Sequence, residues 1–438
     1  MENILIRDTL ILPMTEQAGG RCFRGHIGIA DGEIAFVSED DGVADEFVAT
    51  HTANCRTIDG RGRLAMPGLV NTHSHIPMTL LRGYADDLPL MTWLADHVWP
   101  FEARMTRDDI RVGAQLGMAE MLLGGTTTAL DMYWMDEAVG EAADCAGIRA
   151  VVASSILDGK RADFDADFAM LAERYGGGRH RRIIPMVAPH AVYTCSPETL
   201  EYARDVAAAH GVGITVHVSE TLDEQQFVRE RYGCTPVEML SRLGLLSERT
   251  LAVHCVYVSD DDIEIMRKAG VSVSHNPQSN MKLASGIAPF ARMAAAGLNV
   301  AIGTDGPASN NDLDMWEEMR AASFLQKVAT LDPCAFPAHD VLRMATVGGA
   351  HALGLGDRIG QLRAGMAADV ILLDIEKPHL YPCADMVANL VYCGKASDVD
   401  TVIVDGRVVV EGRRLLTLDI SDLCREAQQR FQTIRNLM

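Results

Sequence analysis

Basic residues are in short supply in this chain. Its 438 residues include 39 Lys and Arg against 60 Asp and Glu, a formal charge of -21, and no Lys/Arg-rich run offsets that balance locally. A phosphate backbone is repelled by such a surface, so nucleic-acid binding lacks its usual electrostatic driving force, and an anionic substrate would need a basic group of its own. Long apolar runs are missing as well. No stretch reaches the roughly 18 consecutive apolar residues that would read as a membrane span. The opening MENILIRDTLILPM carries acidic residues and no small-residue cleavage site, so a cytoplasmic protein without a membrane partner is expected. Ten cysteines are scattered with no CxxC pair, which reads as small buried hydrophobes in a reducing compartment. A GxSxG elbow, a P-loop and a GxGxxG after a strand are all absent. Serine hydrolase, NTPase and dinucleotide-binding readings fall with them.

What is present points to a folded α/β protein. Apolar residues make up 48% and charged ones 23%, enough to bury a sizeable core. Both ends carry hairpin signals: Asp31-Gly32 between apolar-rich runs in GHIGIADGEIAFVS, and Asp405-Gly406 in TVIVDGRVVVEG. Short hairpins cannot bury one face alone, so the two ends are expected to build one small β-sandwich domain, residues 1–63 with 363–438, including an amphipathic C-terminal helix whose job is packing. Between them, over 64–362, eight β-rich runs alternate with helical patterns: LAMPGLVNTHSH, GTTTALDMYW, IRAVVASSIL, RRIIPMVAPH, GVGITVHVSE, RTLAVHCVYV, GVSVSHNP and LNVAIGTDG. Eight βα units in about 300 residues predict a single (β/α)8 TIM barrel, with a doubly wound sheet as the alternative because counting strands does not establish closure.

The polar residues fall at the ends of those runs, and in a barrel strand ends share one face. His73 and His75 follow run one, His190 run four, and His217 with Glu220 run five; His254, His275 and Asp305 close runs six to eight. An HxH pair on extended chain turns both imidazoles to one side, although two histidines satisfied by backbone bonds would look the same. With His217 and Asp305 added, three nitrogens and a carboxylate suit Zn²⁺ with an open position for water, while ligand type alone leaves Fe²⁺ and Mn²⁺ open. Glu220, three residues past His217, can sit beside the metal without binding it and shuttle a proton; the plainer reading is an acid at a helix N-terminus. His254 can orient the attacking water, or be a core histidine. Run four contains no Lys to bridge a second ion, so one metal per chain is expected.

PGLVNTHSHIPMTLLRG, followed by HVSET, HCVYVS, SHNPQSNMKLASGIAPF and IGTDGPASNN, resembles the amidohydrolase superfamily, and within it the 5-methylthioadenosine/S-adenosylhomocysteine deaminases, over nearly the whole chain. The resemblance implies a mononuclear Zn²⁺ site on His73, His75, His217 and Asp305, with Glu220, His254 and Asp305 catalytic. It further implies that Trp93 lines the pocket for the nucleoside's 5′ substituent, that Glu102 and His190 contact the ribose, and that Ser309, like Glu220, belongs to the substrate site. Members that accept S-adenosylhomocysteine place an Arg shortly after the third strand for the amino-acid carboxylate. Here a gapless reading from Arg149 gives Ser154, with Arg161 as a substitute from the next loop, so the neutral methylthio substrate is expected to be preferred.

The expected reaction is hydrolytic deamination of the adenine ring of 5′-methylthioadenosine by metal-activated water, with S-adenosylhomocysteine and adenosine as weaker substrates. One alternative is attack on another nitrogen heterocycle, guanine or an s-triazine, which would not need a ribose clasp. A non-catalytic barrel scaffold is the alternative of another class, and it would lose metal ligands that are all in place here. A homo-oligomer is expected, since barrels of this kind commonly pair.

Overall fold

In the computed structural model, which describes residues 2–52, 54–88 and 90–438, the strands form two sheets. Five strands open the chain: β1 (Asn3–Ile11), β2 (Phe23–Ala30), β3 (Glu33–Ser38), β4 (Cys55–Asp59) and β5 (Arg63–Pro67). The barrel strands follow: β6 (Leu69–Asn71), β7 (Thr126–Tyr133), β8 (Arg149–Ile156), β9 (Ile183–Pro189), β10 (Ile214–Val218), β11 (Thr250–His254), β12 (Ser272–His275) and β13 (Asn299–Ile302). Then come β14 (Val370–Asp374), β15 (Val399–Val404), β16 (Arg407–Glu411) and β17 (Arg414–Leu415).

β6 to β13 pair in sequence order and all in parallel, as eight βα units require. Closure comes from Thr72, whose N–H and hydroxyl both donate to the Ile302 carbonyl, at 3.0 and 2.9 Å. The expected barrel therefore stands, and the doubly wound alternative falls. Alternate residues divide between two cores. Leu130 and Met132 of β7 and Val151 and Ala153 of β8 pack inside the barrel, while Ala129 and Val152 face the helices. Helices start where the sequence supplies caps: Thr106, Thr235 and Ser259 each take part in a capping box.

The second sheet runs β17-β16-β15-β14-β5-β1-β2-β3, with β4 beside β1, and so interleaves strands from both ends of the chain. One buried cluster joins Ile4 and Ile27 from the first part to Val370 and Ile403 from the last. The two Asp-Gly turns meet: a Cβ on Gly406 would lie 2.5 Å from the Gly32 Cα, and both Gly residues have positive φ, so this contact admits only glycine. The C-terminal helix Ile420–Asn436 packs on the helix Arg107–Leu123 rather than on this sheet. Its Arg430 pairs with Asp109 at 2.9 Å, and its Phe431 ring stacks on Phe101 at 5.8 Å. All ten cysteines are free thiols, and among the described residues no helix is long and apolar enough to cross a membrane.

Candidate metal centre

His73, His75, His217 and Asp305 come together at the C-terminal mouth of the barrel. His73 Nε2 lies 3.2 Å from His217 Nε2 and 3.3 Å from Asp305 Oδ1, and His75 Nε2 is also 3.3 Å from that oxygen. Donors at 2.0 to 2.1 Å from a tetrahedral ion are about 3.3 Å apart, so these spacings fit one cation. The far sides of two of the rings are anchored. His75 Nδ1 donates to the Met132 carbonyl at 2.6 Å and His217 Nδ1 to the His190 carbonyl at 2.8 Å, which leaves both Nε2 lone pairs facing the centre. Two imidazole nitrogens 3.2 Å apart with converging lone pairs need a cation between them or a proton on one.

The charge balance agrees. Burial lowers His73 to about 4 and His217 well below its ordinary value, so both are held as the neutral, ligating form. Burial also opposes a charge on His75, yet the Asp305 carboxylate outweighs it and lifts that ring to about 9. Burial would raise Asp305 too, but the bonds to His73 and His75 hold it well below the usual carboxylate range. A buried carboxylate of this kind demands one positive charge within the cluster, supplied by a proton or a metal ion.

The backbone is shaped to aim these groups. Asp305 and His254 sit at φ 60° and 71°, in the left-handed region that costs a residue with a Cβ of order 1 kcal/mol or more and recurs at functional sites. Gly303 lets the eighth strand end come close to the first: a Cβ there would lie 2.7 Å from the His73 nitrogen. Ser279 donates to Asp305 Oδ2 at 2.6 Å and the Gly306 N–H to Oδ1 at 2.9 Å, fixing the carboxylate plane.

Around the centre, His254 Nε2 faces Glu220 Oε2 at 3.7 Å and Asp305 Oδ2 at 4.0 Å, and its Nδ1 bonds Asn280 Oδ1 at 2.9 Å. Glu220 is nearly buried and accepts from Ser285 Oγ at 3.3 Å. The His190 ring lies 4.8 Å from that of His217, with Nδ1 on Thr194 Oγ1 at 2.8 Å. Ser309 shares a 3.1 Å bond with Ser279. Glu102 is buried, takes the Tyr133 hydroxyl at 2.7 Å, and is pushed up to about 7 by burial, with the Tyr133 bond and the nearby His75 charge acting the other way. Trp93 is buried in the segment between β6 and β7 that also carries Glu102.

Three residues stand apart from this group. His275 closes β12 but stacks on Phe290 at 3.9 Å, with neither ring nitrogen bonded among the described residues. Ser154 lies on the helix-facing side of β8, fully buried, and its hydroxyl donates to Asp136. Ser154, so buried, is not placed to meet a substrate carboxylate. Arg161, the first residue of the helix after β8, lies over the Tyr202 ring at 3.5 Å. Residues that sequence reasoning passed over are Ser279 and Asn280. Both lie in SHNPQSNMK, where two polar residues one turn beyond a strand-end His were the available signal.

The Amidohydrolase family profile matches residues 64–409. The chain belongs to the amidohydrolase family. A 5-methylthioadenosine/S-adenosylhomocysteine deaminase from Pelotomaculum thermopropionicum is 47% identical to this amidohydrolase over 439 residues, covering 100% of both chains. A 5′-deoxyadenosine deaminase from Methanosarcina mazei is 43% identical, covering 98% of each. Among solved structures, an adenosine deaminase from Xanthomonas campestris with bound zinc superposes with a TM-score of 0.91 at 35% identity, covering 99% of this chain and 98% of the other.

Proposed function

We propose that this amidohydrolase removes the 6-amino group of an adenine nucleoside by hydrolysis, with 5′-methylthioadenosine as its first substrate and S-adenosylhomocysteine and adenosine as poorer ones. The observation that carries the proposal is the convergence of three imidazoles and Asp305 beside a second, unligated acid, Glu220. His73, His75, His217 and Asp305 would hold one divalent ion, which we assign as Zn²⁺. When bound, such an ion supplies Lewis acidity that makes water nucleophilic at neutral pH.

The chain's own groups then divide the proton work. Asp305 accepts a proton from the attacking water, and Glu220 delivers one to a purine ring nitrogen, which makes C6 electrophilic. His254, facing both carboxylates, steadies the attacking oxygen. The tetrahedral C6 takes a proton on its amino nitrogen, and ammonia leaves with the inosine analogue as product. Glu102 and His190 hold the ribose, Trp93 packs on the 5′ arm, and Ser309 fixes the floor beside Asp305 through Ser279.

A neutral 5′ arm is favoured because the basic side chains on the loops following the strands are engaged elsewhere among the described residues. Lys282 pairs with Asp86 at 2.7 Å, Lys160 with Asp163 at 3.4 Å and Arg82 with Glu120, while Arg104 donates to the Leu437 carbonyl at 3.1 Å. With the activity goes a division of the chain into the barrel, 64–362, and a unit of 1–63 with 363–438, corrected in that residues 64–67 of β5 belong to the second sheet and the C-terminal helix packs on the barrel. We place the enzyme in the cytoplasm as a homo-oligomer whose partner is a small nucleoside. The test is ammonia release from methylthioadenosine, S-adenosylhomocysteine and adenosine in parallel. The methylthio compound is expected to be turned over at least about tenfold more efficiently than the homocysteine one, the worth of about one lost charge-assisted bond. Release from none of the three refutes the proposal.

A further inference from the structure

The helix Leu222–Tyr232 begins two residues after Glu220, and its first turn differs from those of three other acid-capped helices in this chain. At Arg107–Leu123, Pro236–Arg242 and Asp260–Ala269, the acid three residues past the N-cap folds back onto the N-cap's own N–H. Asp109 bonds Thr106 at 2.8 Å, Glu238 bonds Thr235 at 2.9 Å and Asp262 bonds Ser259 at 2.9 Å. Here the N-cap is Thr221, whose hydroxyl accepts the Glu224 N–H at 3.2 Å, and the Glu224 carboxylate reaches further back. Its Oε2 accepts the N–H of Glu220 at 2.8 Å and its Oε1 that of Ser219 at 3.0 Å.

Ser219 is held at φ 54°, a left-handed conformation, and the Gln225 side-chain amide donates to its hydroxyl at 2.8 Å. Glu224 is 3% exposed, so its two bonds form away from competing water. A helix that needed only a cap would be served by the arrangement at the other three. This fork instead grips the two amides that set the direction in which the Glu220 side chain leaves the main chain. We infer that Glu224 is a positioning residue for Glu220, holding its carboxyl 3.7 Å from His254 Nε2 and within reach of the Ser285 hydroxyl. The inference rests on the proposed role of Glu220 as the proton carrier.

Glu224→Gln keeps one acceptor and turns an NH₂ toward the other amide. The expected result is a fall in kcat of about 10- to 100-fold, the scale of a misplacement near 1 Å, with the KM for methylthioadenosine within about twofold and the metal content per chain unchanged. In a Glu220→Gln background, or Glu220→Asp where that is too slow to assay, adding Glu224→Gln should lower kcat by less than about twofold, because the group it acts through is already impaired. Glu224→Asp, which keeps the carboxyl group but falls a methylene short, should lose kcat likewise while keeping the wild-type melting temperature. An equal loss in both backgrounds, or a loss of rate that tracks lost metal, overturns the inference. If Glu220→Gln is slow and the Glu224 variants run at the wild-type rate, the inference alone fails; if Glu220→Gln itself keeps full turnover, the proposed role of Glu220 fails with it.

Discussion

Glu102 shows how burial can tie binding to pH. Its carboxyl is lifted to about 7, chiefly by desolvation, so it is charged above that pH and neutral below. A charged carboxylate accepts from both hydroxyls of a ribose, whereas the protonated group has one oxygen fewer to offer. The KM for methylthioadenosine should therefore rise as pH falls through about 7, by roughly tenfold between pH 8 and pH 6 if only the charged form binds. In Glu102→Gln the KM should sit high and flat across that range, and steady-state kinetics at five or six pH values would read both. A pH slope that survives in the Gln variant assigns the titration to another group. At this scale the sequence was legible where spacing carried chemistry: His73 and His75 two apart at a strand end, and Glu220 three past His217. It was not legible for Glu224 or Asn280, since an acid early in a helix reads as a cap and an Asn as a solvated turn residue. Ser154 misled for a related reason, because position along β8 does not say which face a side chain takes.

The elements that carry these residues are braced unevenly. Trp93 and Glu102 lie on short helical pieces, including a π-turn at Leu94–Val98, between β6 and the helix Arg107–Leu123. The C-terminal helix Ile420–Asn436 supports that stretch from outside: Phe431 touches Phe101 and, at 6.0 Å, Tyr84. Phe431→Ala should thus act at a distance. We expect a stability loss of about 2 kcal/mol, less than for a fully buried Phe because this residue is only partly buried. A severalfold rise in nucleoside KM should accompany it, with metal content unchanged. Calorimetry and initial-rate measurements on the same preparation check both, and an unmoved KM would mean the helix stabilises without positioning Glu102. The amphipathic pattern of residues 419–438 revealed a packing helix. Its seat on the barrel was hidden, because periodicity gives a helix its apolar face but not the surface that face meets.

Over the whole molecule, the barrel and the sheet built from both chain ends are joined by a buried charge cluster at the end of β8 remote from the metal ligands. Arg149, fully buried, grips Asp369 with two bonds of 2.8 and 2.9 Å and reaches Asp405 at 3.3 Å, while Arg181 holds the other oxygen of Asp405 at 2.9 Å. Asp405 is the first residue of the turn that meets Gly32, so one guanidinium ties β8 to the point where the two halves of the second sheet touch. The eight runs and the two Asp-Gly turns were readable separately, but a contact between residues 149 and 369 is set by the closed topology and has no local signature. Replacing Arg149 by Met would leave Asp369 buried without its ion partner and Asp405 with Arg181 alone, and stranding a buried charge typically costs about 3 to 5 kcal/mol. Asp369→Asn in the same chain should recover part of that loss by removing one of the stranded charges, the opposite of what two independent defects would do. Ammonia release per folded molecule should stay near the wild-type rate in both variants, because the catalytic loops lie at the other end of the strands. A melting curve unchanged by Arg149→Met would show that the cluster's attraction only repays its desolvation. A second mutation that adds to the first would show that the two acids are not stabilised through Arg149 at all.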